Sequence, residues 1–406
     1  MRLTQKTNNK IRLMNITFLL RLWPVYGGGE TVTICLANEM IKRGWNVSVL
    51  YFKNNTRPDL PFIDPAVKAV QIPDIRCDEF TTRFPDADKV TSYLKEYIQE
   101  NDIHYLINQW WPVEYIRGIR GRYKTKIITC LHQALYTPMI EGTGINGFLK
   151  KRCTSLYKFW KKRHSCRQVT RFLPHTDKYI FLSPAFQHQY EQFANHKNTN
   201  RQLGAIPNPL VYPNEIRPED LQSKEKTVLL VGRMVEIQKR ITRAIKIWSA
   251  IENDPRLDEW NFRIVGEGPD LAMYKQLAQT LGLKRISFEG FRNPQPYYKQ
   301  AAIFMMTSAF EGFPMTLVEA QQCGVVPVVM DSYLSLHDIV ETGYNGIIVS
   351  NEDLTGYVNK IKELMTDTSL RGKLAMNGLH SCRRFCVEEI VNNWEELFND
   401  LSANRR

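Results

Sequence analysis

Glu311 and Glu319 stand eight positions apart in the run Glu311-Gly312-Phe313-Pro314-Met315-Thr316-Leu317-Val318-Glu319. Proline suits the first position of a helix, where its missing N–H is no loss, so the spacing predicts a helix from Pro314 to a stop at Gly324. Glu311 then lies in the loop. Glu319 falls in the second helical turn, roughly 7 to 8 Å along the axis from the helix start. A ligand docked on that N-terminus is bracketed by two carboxylates. The unpaired N–H groups and partial positive charge there suit a phosphate, while carboxylates accept hydrogen bonds from sugar hydroxyls. A nucleotide sugar meets both demands. Acidic residues also favour first helical turns for electrostatic reasons alone, so the pair needs support elsewhere in the chain.

Cations supply part of that support. In Val231-Gly232-Arg233-Met234-Val235-Glu236-Ile237-Gln238-Lys239-Arg240, an apolar strand ends at Gly232-Arg233 and a helix is expected after Lys239. Side chains at the carboxyl end of a parallel strand face the crevice where such sheets bind ligands. Arg233 offers a planar fork and Lys239 a point charge, together suited to a departing diphosphate. Gly28 and Gly29 read as a turn directly after the first strand, where the missing Cβ lets backbone N–H groups approach an anion. Neither a G-x-G-x-x-G nor a P-loop lysine is present. His132 ends the strand expected over Ile127–Leu131, and Trp110 and Trp111 end the preceding one, positioned for sugar stacking or core packing. Asp86-Ala87-Asp88 has the form of a metal-binding D-x-D but reads as a helix start, so no metal is assigned.

These residues need a scaffold with strand ends converging on a crevice. The order is strand (Asn15–Leu20), glycine turn (27–29), amphipathic helix (Glu30–Arg43) and strand (Val47–Tyr51), the rhythm of a doubly wound α/β sheet. Further strands are expected at Tyr105–Asn108 and Tyr179–Leu182. Pro207, Pro209 and Pro213, then a polar run to Lys226, mark a boundary. A second strand-helix series follows, with strands at Val228–Val231, Phe262–Val265, Ile286–Phe288, Ile303–Met306 and Val326–Met330 and a last one near Val349. With 406 residues, two domains are the default. The division reads as 1–210, 211–386 and a closing helical segment 387–406.

Eight cysteines without a C-x-x-C pair read as reduced thiols of a cytoplasmic protein rather than a disulfide framework or zinc site. The apolar run Met14–Leu20 lacks a signal-peptide cleavage pattern, and no run is long enough to span a bilayer. The net charge of +12 requires anionic partners. From Gly142 to Thr176 there is no acidic residue, while Lys150, Lys151, Arg152, Lys158, Lys161, Lys162, Arg163, Arg167 and Arg171 crowd together. Leu149, Cys153, Leu156 and Trp160 fall at helical spacing, the pattern of a basic amphipathic helix on an anionic membrane; a solvated helix face and an RNA-binding patch are its rivals.

Taken in order, these segments resemble the family 4 retaining glycosyltransferases of the GT-B fold, two Rossmann-like domains facing a central cleft. The resemblance also rests on Leu36-Ala37-Asn38-Glu39, Ile206-Pro207-Asn208-Pro209, Gly266-Glu267-Gly268-Pro269, Phe288-Glu289-Gly290 and Gly343-Tyr344-Asn345-Gly346. It implies that the first domain takes the acceptor and the second the nucleotide sugar. Arg233 and Lys239 would hold the diphosphate beside Gly232. Glu311 would contact sugar hydroxyls with the turn Phe313, Pro314, Met315, Thr316 and Leu317, Glu319 the ribose, and His132 would sit by the donor sugar. The resemblance further implies front-face displacement with retained configuration, no metal cofactor, and a closing helix that crosses back to the first domain. Arg240 stands where the family often has Gly, and the Arg233–Lys239 spacing is a residue long, so the diphosphate contact is open to Arg240. Loss of Glu311 or Lys239 is expected to abolish transfer without unfolding the chain. A glycan acceptor, lipid-linked, at the inner face of a cell membrane is the expected setting, with no nucleic acid. The competing classes are a nucleotide-sugar epimerase and a non-catalytic RNA- or membrane-binding protein.

Overall fold

The computed structural model describes residues 13–24, 28–54, 61–73, 75, 86–109, 111–136, 154–212 and 216–403, with backbone alone for 28 and 154–158. Trp110, Cys77, Pro213 and the 142–153 part of the basic segment lie outside the described residues. Among the described residues, thirteen strands form two sheets. The first comprises β1 (Asn15–Leu19), β2 (Asn46–Tyr51), β3 (Lys68–Gln71), β4 (Tyr105–Asn108), β5 (Lys126–Cys130), β6 (Lys178–Phe181) and β7 (Leu203–Ala205) in the order β3-β2-β1-β4-β5-β6-β7. The second comprises β8 (Glu225–Val231), β9 (Asn261–Val265), β10 (Ile286–Gly290), β11 (Ala301–Met306), β12 (Val326–Asp331) and β13 (Ile347–Ser350) in the order β10-β9-β8-β11-β12-β13. Every pairing in both is parallel. This is the GT-B architecture, two Rossmann-like α/β units.

Parallel strands buried on both faces must be apolar throughout, and alternate residues feed opposite cores. In β8, Val228 and Leu230 pack on the face covered by the Ile241–Glu252 helix. Leu229 and Val231 pack on the other, with Leu317, Val318 and Ala320 of the Met315–Gln322 helix. The neighbours β8 and β11 thus send their following helices to opposite faces. That divergence opens a crevice at their carboxyl ends, and the corresponding point in the first sheet lies between β1 and β4.

The Val387–Ala403 helix packs on the first sheet's side. Ile390, Trp394 and Phe398 join the core around Trp45 and Met40, Tyr105 donates its hydroxyl to the Phe398 carbonyl at 2.8 Å, and Arg43 pairs with Glu395 at 3.1 Å. Two strands escape the sequence pattern: β3, Lys-Ala-Val-Gln, is an edge strand with mostly exposed side chains, and β7 is only three residues long.

Candidate active site

The crevice between β8 and β11 gathers the cations and the first carboxylate. Beyond β8, Gly232 lies beneath Lys239, whose Cε would stand 3.4 Å from a Cβ at that position. A short helix, Glu236–Lys239, precedes the longer one from Ile241, so the second helix begins two residues after Lys239. Lys239 Nζ reaches Glu311 Oε1 at 2.7 Å, and Gln238 Nε2 donates to Glu311 Oε2 at 3.2 Å. The Ala309 N–H donates to the Gln238 carbonyl at 2.7 Å, which ties the loop after β11 to the segment after β8. Arg233 is exposed beside this group.

Arg240 is turned out of the site's hydrogen bonding. It closes the short helix in the left-handed conformation, φ +50°, its N–H donating to the Glu236 carbonyl and its own carbonyl accepting from Thr307 Oγ1 at 3.1 Å. The left-handed backbone accounts for glycine as the easier residue there. Of the two adjacent cations, Lys239 is the one that meets Glu311.

The Met315–Gln322 helix starts one residue later than its sequence predicts. Pro314 is its N-cap, with ψ 88°, and its carbonyl accepts from the Leu317 N–H at 3.0 Å, so the first helical N–H belongs to Met315. Gly324 ends it at φ +66°, with the Val325 N–H donating back to the Ala320 carbonyl at 2.9 Å. Thr316 and Leu317 occupy its first turn, and Phe313, buried, packs on Phe385. Glu319 is on the buried face. Its carboxylate accepts from Tyr298 at 2.9 Å, and burial pushes its pKa up to about 7. The same carboxylate, after burial itself, raises the thiol of Cys35 to about 12. Cys35 lies on the Gly28–Lys42 helix of the first domain, so that helix faces the Glu319 side of the crevice.

Gly28 and Gly29 do not follow β1 directly. The strand ends at Leu19, and the two glycines form the first turn of the Gly28–Lys42 helix, where the Gly29 carbonyl accepts from Thr33 Oγ1 at 2.9 Å. Residues 20–24 first run on beside β2, through the Leu20 N–H bond to the Leu50 carbonyl and the Leu22–Lys53 bridge. Trp111 is core: 1% exposed, it stacks on Phe52 at 4.8 Å and donates to the Leu20 carbonyl. The Asp86–Asp88 pair opens the Ala87–Glu100 helix.

Across the crevice, His132 follows β5, and burial lowers its pKa to about 4, so the imidazole is neutral at physiological pH. A Cβ on Gly312 would stand 3.0 Å from Gln133 Cα and 3.1 Å from the His132 carbonyl oxygen. The absence of a side chain at Gly312 therefore lets the Glu311 turn close on the strand end that carries His132. The two domains meet at the site.

Two models cover nearly the whole chain: Glycosyltransferase Family 4 over residues 26–209 and Glycosyl transferases group 1 over residues 212–380. The chain is a glycosyltransferase of this family. A Campylobacter jejuni relative, GalNAc-alpha-(1->4)-GalNAc-alpha-(1->3)-diNAcBac-PP-undecaprenol alpha-1,4-N-acetyl-D-galactosaminyltransferase, is 23% identical over 96% of this chain and 99% of its own. The exopolysaccharide phosphotransferase SCO2592 of Streptomyces coelicolor is 28% identical over 50% of this chain, which spans only 21% of that protein. Among solved structures, the lipopolysaccharide outer core galactosyltransferase WaaB superposes with a TM-score of 0.65 at 19% identity, over 97% of this chain and 100% of WaaB. Anabaena Alr3699/HepE in complex with UDP and glucose superposes with a TM-score of 0.67 at 18% identity, over 95% of this chain and 100% of that one.

The remaining glycine motifs of this glycosyltransferase are packing devices around the crevice. A Cβ on Gly266 would lie 2.0 Å from the Gly232 carbonyl oxygen, and one on Gly268 would lie 2.4 Å from that of Met234. The Gly266–Gly268 loop thus rests directly on the Arg233 turn, joined by the Met234 N–H to the Glu267 carbonyl at 2.8 Å. Asn345, 2% exposed, ties its own loop to Ile339, Glu341 and Ser381. Sequence reasoning missed Gln238 and Tyr298, the partners of the two carboxylates. Gln238 carried a signal, being the neighbour of Lys239, whereas Tyr298 reaches Glu319 from a separate helix, Gln295–Gln300.

Proposed function

We propose that this enzyme moves a sugar from a nucleoside-diphosphate sugar to a glycan acceptor of surface polysaccharide or lipopolysaccharide synthesis, with the anomeric configuration retained and without a metal. The observation that carries the reading is the Lys239–Glu311 pair at the β8/β11 crevice, beside exposed Arg233 and facing His132. Lys239 and Arg233 there take the place of a metal in neutralising the leaving diphosphate. Glu311, held by Lys239 and Gln238, accepts from sugar hydroxyls, with the first-turn N–H groups of Met315 and Thr316 behind it. Glu319 serves the ribose, and neutral His132 hydrogen-bonds the donor sugar without adding charge.

In the retaining step, the bond from the anomeric carbon to the phosphate oxygen breaks and the acceptor oxygen bonds to that carbon on the same face. The acceptor proton passes to the departing phosphate oxygen. The products are a glycoside and a nucleoside diphosphate.

The acceptor is proposed to be lipid-linked and met at the inner face of a cell membrane, through the basic segment 142–176. Within its described part, the Thr154–Phe172 helix leaves Phe159 and Trp160 60% and 66% exposed beside Arg163 and Arg167. Trp160 therefore stands outside the core rather than within it. No described helix is long and apolar enough to cross a membrane.

Thermal unfolding with UDP, GDP, ADP and CMP tests the donor reading. One nucleotide should raise the midpoint of the wild type and fail to do so in Arg233→Ala, whose exposed side chain is not needed for folding. If none raises it, the reading falls. Activity that persists in EDTA is the expected result for the metal, and NMR of the first-formed sugar anomer reads retention or inversion.

A further inference from the structure

A cavity of about 270 Å³ lies in the first domain between the Val113–Ile116 and Thr154–Phe172 helices and shares only His132 with the donor residues. Its lining includes His132 and Gln133, the two residues on which the Gly312 turn closes, so it abuts the donor crevice. Its outer end opens beside Gln168 and Arg171, both exposed. A volume just below the roughly 300–1,000 Å³ of typical small-molecule sites suits one sugar ring and not a nucleotide.

The lining sets the charge of what it takes. Arg171 is spent on Glu114, Nη2 to Oε1 at 2.5 Å, so the two charges of the wall cancel. His132 is neutral. A phosphate would find no uncommitted cation among the described lining residues. The wall is apolar at Phe172 and Tyr179 and polar at Gln109 and Gln168, a mixture that matches a pyranose, with its C–H faces and hydroxyl rim. Gln109 is buried, with its side-chain amide 2.6 Å from Thr33 Oγ1.

We propose that this cavity is the subsite for the terminal sugar of the acceptor, a neutral pyranose whose hydroxyls are read by Gln109 and Gln168 and whose reacting hydroxyl is aimed past His132 at the donor. The proposal rests on the glycosyltransferase reading of the donor crevice and adds the place and charge class of the second substrate. It also gives the Thr154–Phe172 helix two tasks. One end lines the sugar subsite, and the other, about 12 Å away at the Trp160 level, faces the proposed membrane.

Saturation-transfer NMR on the full chain, with free galactose, N-acetylgalactosamine and glucose at millimolar concentration, with and without UDP, tests it. At least one sugar should be saturated by the wild type. The signal should vanish in Gln168→Trp, whose indole fills the mouth, and weaken several-fold in Gln168→Ala. A wild type that saturates none of the three, or an undiminished signal in Gln168→Trp, overturns the subsite. The nucleotide-induced midpoint shift of the same samples reports the donor crevice separately. If the shift is present and the sugar signal absent, the subsite alone is wrong; if both are absent, the donor reading falls with it.

Discussion

Lys239 Nζ and Glu311 Oε1 are joined at 2.7 Å with only 15% and 8% of their side chains exposed. Removing one partner of a buried ion pair strands the other charge and costs on the order of 3–5 kcal/mol. Lys239→Ala should therefore lower the denaturant midpoint as well as abolish the nucleotide response, which revises the expectation of a clean loss of activity. Lys239→Met combined with Glu311→Gln, which leaves no stranded charge, should regain most of the stability and none of the activity. Urea unfolding of the single and double variants decides: a single variant as stable as the wild type would show that the pair is not structural.

Arg240 tests which adjacent cation matters. Its left-handed φ of +50° costs a non-glycine residue roughly 1–2 kcal/mol, while glycine gives back about 0.4–1 kcal/mol through the unfolded chain. Its Nε is buried with no hydrogen-bond partner. Arg240→Gly should then leave stability unchanged within about 1 kcal/mol and keep the nucleotide-induced shift. Loss of that shift would move the diphosphate contact from Lys239 to Arg240.

Gly312 carries the contact between domains. A methyl group there would press on Gln133 Cα at 3.0 Å, and the Glu311 turn would have to retreat from His132. Misplacement of reacting groups by a fraction of an ångström to an ångström costs on the order of 10- to 100-fold in rate. Gly312→Ala should lower kcat by that order and leave nucleotide binding intact, because Arg233, Lys239 and Glu319, proposed to hold the diphosphate and ribose, all lie in the second domain. Donor hydrolysis rates beside calorimetric nucleotide affinity separate the two effects.

Much of this arrangement was legible in the residues. Apolar runs of three to six residues marked most strands, because parallel strands buried on both faces allow little else, and Gly232-Arg233 marked a crevice end. Pro314 and the Gly324 stop located the helix to within one residue at its start and two at its end. What was not legible depends on distant chain segments. Nothing local distinguishes Trp111 in the core from a sugar platform, or links Tyr298 to Glu319. The placement of Gly28 and Gly29 was misjudged because residues 20–24 continue beside β2 without a regular pattern. β3 was missed for its exposed polar side chains.

The basic helix gives a prediction about location. Arg163 and Arg167 are exposed, and each cation near an anionic surface contributes about 1 kcal/mol. Arg163→Gln with Arg167→Gln should weaken binding to phosphatidylglycerol vesicles roughly 30-fold. Trp160→Ser should weaken it further and remove part of the quenching of tryptophan fluorescence by brominated lipid. Sedimentation with anionic and with phosphatidylcholine vesicles reads both. Equal binding to the two, or preferential capture of RNA, would reject the membrane assignment.

Glu319 makes stability depend on pH in an unusual direction for a carboxylate. Burial raises its pKa from 4.5 to about 7, with the Tyr298 hydrogen bond opposing the shift. Below about pH 4.5 the group is protonated in both folded and unfolded chains, and its contribution is fully present. Between that pH and about 7 the unfolded chain has released the proton and the folded chain has not, so stability falls as pH rises. Above about 7 the loss levels off, at on the order of 3 kcal/mol. Glu319→Gln, which stays neutral and still accepts from Tyr298, should remove this slope and be the more stable protein at pH 8, with little difference at pH 4.5. Urea unfolding of both proteins from pH 4.5 to 8.5 measures the difference directly; parallel curves would mean that Glu319 is ionised in the fold and that water or a neighbouring cation reaches it.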